Sequence, residues 1–123
     1  MMEAWEHIAP ELPPGAFRRG EAFCWGQWTS ATPAGLWKHF RWHSGITRKR
    51  HAELIAVERV REAARKKHPK CTVRLLDNAE CWPQFDVLIF DRDLESWITV
   101  SCGSGPTLCD AAWACIQALG GGE

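Results

Sequence analysis

Tyrosine is absent from this chain of 123 residues, and net charge is absent too, with 15 Lys and Arg against 15 Asp and Glu. No apolar run approaches the roughly 18–20 residues that cross a bilayer, so no membrane contact is expected. The opening MMEAWEHIAPELPPG has no basic stretch followed by an apolar one, which excludes a recognisable secretory signal and leads us to expect a cytoplasmic protein. No C-x-x-C pair occurs among the six cysteines at 24, 71, 81, 102, 109 and 115, so the common zinc and redox spacings are missing. Four of these cysteines lie in or beside apolar periodic segments, where Cys acts as a small hydrophobe, and thiols rather than disulfides are expected in a reducing compartment. Paired carboxylates, a Ser-His-Asp set and a kinase signature are likewise missing. The expectation is therefore no enzyme, no catalytic residue, no metal and no cofactor.

What the chain does have is a normal apolar content of 46% and eight tryptophans, five of them within the first 42 residues. The length suits one domain spanning 1–123, read as a Trp-rich N-terminal segment (1–46) and a core (47–120). Clustered Trp near a terminus implies a second core layer or a contact surface, since the indole buries a large area while keeping a polar N–H. Charge is polarised despite its zero sum. Residues 48–70 hold nine Lys and Arg against three Glu, and residues 71–123 hold two Arg against eight acids. Residues 1–47 are balanced. Such polarity concerns partners more than fold.

Local signals place the elements. A short helix over 1–9 is stopped by Pro10, and ELPPG is a loop. EAFCWGQW, 21–28, reads as a strand. Thr32 is a good N-cap, Pro33 suits the first helical position, and Leu36, Trp37 and Phe40 share a face before Ser44-Gly45 ends the helix. The longest helix runs from Thr47 to about His68. Its buried stripe is expected at Ala56, Val57, Val60, Ala63 and Ala64. Strands follow at 71–76, 85–90 and 97–102, with Asp77-Asn78 and Asp91–Glu95 as turns. Short connections favour an antiparallel meander. Gly103 to Gly105 read as a tight turn, with Pro106 opening a last helix to Leu119 whose stripe is Leu108, Ala112, Cys115, Ile116 and Leu119. The expected fold is thus α+β: a helix–three antiparallel strands–helix core. Leu88 and Phe90 lie on the sheet face away from the helices and need a cover, for which the Trp-rich segment, packed on or beside the sheet, is the nearest candidate; a partner protein is the other.

Three constellations carry chemistry. Gly103-Ser-Gly105 before a helix fits a phosphate site in outline, but lacks the third Gly of a dinucleotide fingerprint and the Gly-Lys-Ser/Thr of a P-loop. His39 and His43 have the i, i+4 spacing of two zinc ligands, without the Glu of H-E-x-x-H. Residues 50–119 form the third. Their order of elements, with Phe85-x-Val87, Gly103-x-Gly105, Ala111-Ala112 and Ala118-Leu119, resembles a double-stranded-RNA-binding domain. Such domains need lysines at the start of the last helix to reach phosphates, where Thr107, Leu108, Cys109 and Asp110 stand here, so the resemblance implies topology. Over residues 50–120 the chain also resembles small α/β sandwich proteins carried by bacteriophages, whose last helix closes the domain with a Leu/Cys/Ala-rich face. In size and style it is similar to the anti-CRISPR inhibitors of host defence.

That resemblance implies a non-enzymatic phage or mobile-element inhibitor acting in a bacterial host by binding a host defence complex of the CRISPR-Cas type. The alternative is a nucleic-acid-binding protein using the basic helix of 48–70. The expected partner-binding residues are Arg48, Lys49, Arg50, Arg61, Arg65 and Lys66 on that helix, and Asp91, Asp93 and Glu95 in the acidic hairpin.

Overall fold

The computed structural model describes residues 2–120, the side chain of Asn78 excepted. The elements in chain order are α1 (Ala4–Ile8), β1 (Phe17–Arg19), β2 (Ala22–Trp25), β3 (Trp28–Ser30), α2 (Pro33–Ser44), α3 (Arg48–Lys67), β4 (Thr72–Asn78), β5 (Cys81–Asp91), β6 (Ser96–Ser104) and α4 (Leu108–Ala118). They form an α+β protein with two antiparallel three-stranded sheets, ordered β1-β2-β3 and β4-β5-β6.

The three longer helices start where a threonine side chain satisfies their first amides and stop on backbone caps. The Thr32 hydroxyl accepts from the Gly35 amide at 3.2 Å, and Gly45 at φ 75° closes α2. Thr47 caps α3 in the same way, accepting from Arg50 N at 3.0 Å. At α4 the Thr107 hydroxyl accepts from Asp110 N while the Asp110 carboxylate accepts from Thr107 N, a reciprocal capping box. Pro106 therefore precedes the cap instead of opening the helix.

The main core lies between the β4–β6 sheet and a helical layer of α3, α4 and α1. Ala52, Ala56, Val60 and Ala64 follow one another at four-residue intervals down α3 and are all fully buried. Their small size lets α4 lie close, with Ala111, Ala112 and Cys115 opposite. Val57 and Ala63, expected in that stripe, flank it half-buried. Phe85 and Val87 fill the space between sheet and helices.

Four features differ from the sequence expectation. The aromatic run 21–28 is two strands, because Gly26 at φ 61° with Gln27 turns the chain and pairs Trp25 with Trp28. Asp77-Asn78 continues β4, and the turn falls at residues 79–80. Gly103 lies inside β6 and faces the α4 backbone; it is not part of a turn. The fourth concerns the N-terminal segment, which docks on the helical layer and leaves the outer face of the β4–β6 sheet open. Its α1 packs against α3 and α4, while α2 packs on its own small sheet around buried Cys24, Leu36, Trp37 and Phe40.

The proline-rich loop explains that docking. Four side chains from later elements donate to carbonyls between residues 8 and 14: Arg59 Nε to Ile8 at 3.1 Å, Arg48 Nε to Pro10 at 3.1 Å, Trp37 Nε1 to Glu11 at 2.8 Å and Trp25 Nε1 to Pro14 at 3.0 Å. A proline-rich loop has few amides of its own and builds no ladder, so its carbonyls are satisfied by side chains.

Candidate binding surfaces

The basic helix is less free than its composition implies. Arg50 pairs with Glu53 at 2.7 Å, Arg61 with Glu58 at 2.6 Å and Arg59 with Glu62 at 3.6 Å, each pair within α3. Arg48 holds the Pro10 carbonyl and lies over the Trp5 ring at 5.6 Å. Lys49 lines a groove beside Glu53 and Asp110. Arg65 and Lys66 are exposed in the last turn. At 1.5 Å rise per residue, Arg48 and Lys66 stand about 27 Å apart along the axis, so these cations do not converge.

The acidic hairpin sits at the tip of β5 and β6. Asp91 Oδ1 accepts from the amides of Asp93 at 2.9 Å and Leu94 at 3.2 Å, and Glu95 takes a left-handed φ of 50° to complete the turn. Asp93 and Glu95 are exposed, and so is Leu94. Immediately behind, Phe90 pairs with Trp97 across the strands, their rings edge to face at 5.6 Å and about half exposed (48% and 55%). The register places both on the sheet face opposite Phe85 and Val87, with Leu88, Thr72 and Leu76. The hairpin thus presents Phe90, Leu94 and Trp97 beside three carboxylates and Arg92.

A polar network occupies the middle of that open face. The Asp86 carboxylate accepts from Arg74 at 2.9 Å and from Gln84 at 2.7 Å. Burial pushes the Asp86 pKa up, but the hydrogen bonds from Gln84 and Arg74 and the Arg74 charge outweigh it and hold the group below its ordinary 3.8. A carboxyl with a depressed folded pKa stabilises the fold above its unfolded value, and that contribution is lost as pH falls through the depressed one. The Arg74 side chain is 53% exposed and therefore screened by solvent. We expect Arg74→Met to cost about 1–2 kcal/mol at pH 7, well short of a fully buried pair. Urea denaturation from neutral pH into acid checks this: the difference from wild type should shrink as pH drops below 3.8. A constant difference across the range would assign the cost to packing.

The exposed side of α2 is a surface that the regional charge balance concealed. All four acids of residues 1–47 precede residue 22, and the stretch 22–52 contains no Asp or Glu at all. It holds Lys38, Arg41, Arg48, Lys49 and Arg50, three histidines and four tryptophans. Counting charge in a sliding window, rather than by element, reveals it. Trp28 stacks on His39 at 4.4 Å and 23°, and also faces His43 at 5.6 Å. Trp42 stands 76% exposed one turn further on. His39 and His43 thus belong to an aromatic cluster. Among the described residues no group of three or more His, Cys, Asp and Glu is arranged to hold a metal ion.

The six cysteines form no disulfide with one another. Burial, the largest effect, raises Cys109 and Cys115 to about 11, so both are neutral packing groups at physiological pH. No helix among the described residues is long and apolar enough to cross a membrane. Fold and surfaces together define an α+β protein with shallow, open surfaces. No protein-family model, no curated protein and no solved structure matches the chain.

Proposed function

We propose that the protein is a non-enzymatic inhibitor, of phage or mobile-element origin, that occupies a surface of a host defence complex of the nucleic-acid-guided nuclease type. The observation that supports this most is the hairpin tip, where Phe90, Leu94 and Trp97 stand exposed against Asp91, Asp93 and Glu95. Exposed aromatics in a group are the anchors of protein interfaces. Carboxylates around them suit a partner surface with an apolar centre and a basic rim. Channels that hold guide or target strands are basic in this way. The basic helix supports the alternative, direct nucleic-acid binding through 48–70, less well, because three of its arginines are neutralised by neighbouring Glu.

The test is expression of the protein in bacterial hosts that each carry one such nuclease system, challenged with a targeted phage. Wild type should restore plaques in at least one host. Trp97→Ala, which removes an exposed ring and spares the core, should abolish the rescue and weaken binding to the purified complex about 30-fold or more. Rescue by neither protein in any host overturns the reading. Equal rescue by both moves the contact away from the hairpin.

A further inference from the structure

We propose that the outer side of α2, with the β2–β3 turn, is a binding track for single-stranded nucleic acid. Three shallow grooves run together there. Trp28, Lys38, His39, Arg41 and Trp42 line one of about 530 Å³. Lys38 and Arg41 are shared with a second, of about 500 Å³, that continues past Trp37 and Thr47 to Arg48. Trp28 is shared with a third, of about 350 Å³, that passes Trp25, Gly26 and His43. Lys38 and Arg41 are one helical turn apart, so both rim the same side. Neither side chain makes a hydrogen bond or ion pair with any described residue.

The occupant follows from two properties held together. The acid-free stretch 22–52 selects a polyanion, and its Lys38 and Arg41 pair with no acid among the described residues. The indoles select bases: Trp28 is held flat by His39, and Trp42 offers an open ring. Stacking on them requires an unpaired base, since duplex bases already stack on one another. An acidic polypeptide would satisfy Lys38 and Arg41 but leave Trp42 unused. This track lies on the N-terminal unit, away from the sheet face of the proposed inhibitory contact, and does not depend on it.

The probe is fluorescein-labelled oligothymidylate of about ten nucleotides, a length within the usual span of single-strand sites. Binding is followed by anisotropy between 50 and 200 mM salt, with oligouridylate, a thymidine–adenine duplex and polyglutamate as parallel ligands. Trp42→Ala should lower affinity for the single strand at least about fivefold, the smallest loss expected for one stacked base. Lys38→Ala with Arg41→Ala should make the slope of log affinity on log salt shallower by about 1.4, two phosphate contacts at 0.7 each. Arg65→Ala with Lys66→Ala should leave both unchanged. All of these side chains are exposed, so the variants retain the fold. The proposal falls if the single strand fails to bind at 50 mM salt or if Trp42→Ala binds it like wild type. It also falls if duplex or polyglutamate binds as tightly, which would reduce the surface to a charge patch. Trp97→Ala should bind the oligonucleotide normally, so failure of this test and failure of the inhibitory reading are told apart.

Discussion

Gly103→Ala is expected to destabilise the protein by about 3 kcal/mol and to lower its melting temperature by more than about 10 °C. A Cβ at position 103 would lie 2.1 Å from Cys115 N, 2.6 Å from Cys115 Cα and 2.7 Å from the Ala114 carbonyl carbon. All three atoms belong to the α4 backbone, which a rotamer change cannot move. The methyl would push α4 off β6 and open the layer in which Ala111, Ala112 and Cys115 are buried. Thermal melting followed by circular dichroism checks the size of the effect. A shift within about 2 °C would mean that sheet and helix lie further apart than described. The glycine is therefore explained by close approach of helix to strand, and a phosphate-binding turn is not needed to account for it.

Trp37→Ala is expected to cost about 3–5 kcal/mol within the N-terminal unit and to leave the larger core folded. The indole is buried, donates to the Glu11 carbonyl at 2.8 Å, and lies edge-on to Phe40 at 5.4 Å and tilted to His51 at 5.6 Å. The small core around it contains little else, namely Cys24, Leu36 and Phe40. Truncation leaves a cavity and an unsatisfied carbonyl at the seam between the two units. Hydrogen exchange should show amides of 22–44 losing protection while those of β5 keep theirs. Uniform loss across the chain would mean one cooperative unit instead. The same seam is sensitive to acid. Burial first, and the Arg59 charge second, lower the His51 pKa from its ordinary 6.5. The folded state thus favours neutral imidazole, and its contribution is complete above 6.5 and lost as pH falls from there toward the depressed value.

The helices and their limits are legible locally. Thr32, Thr47 and Thr107 cap the helices they precede, and the small residues of α3 keep helical period. Such signals act over three or four residues, so the chain displays them without any tertiary partner. The three strands of the main sheet were legible for the same reason, through alternation, and so were Leu36, Trp37 and Phe40 as one buried face. The split of 21–28 into a hairpin was not, because aromatic and apolar residues stand on both sides of Gly26 and only its positive φ breaks the strand.

The sequence by itself therefore determined the α+β class, the order of core elements and the apolar excess on β5. Tertiary structure alone decided which charges and faces remain available. It took Arg48 and Arg59 from the basic helix to hold the carbonyls of Ile8 and Pro10, and it left Lys38 and Arg41 unpaired beside Trp28 and Trp42. It also placed α1 of the tryptophan-rich segment on α3 and α4 and the rest of it on its own small sheet, leaving Phe90 and Trp97 uncovered. The physical reason is range. Propensity and capping are settled between near neighbours, whereas the pairing of a cation or the cover of a face depends on residues up to 51 positions away, as between Arg59 and Ile8.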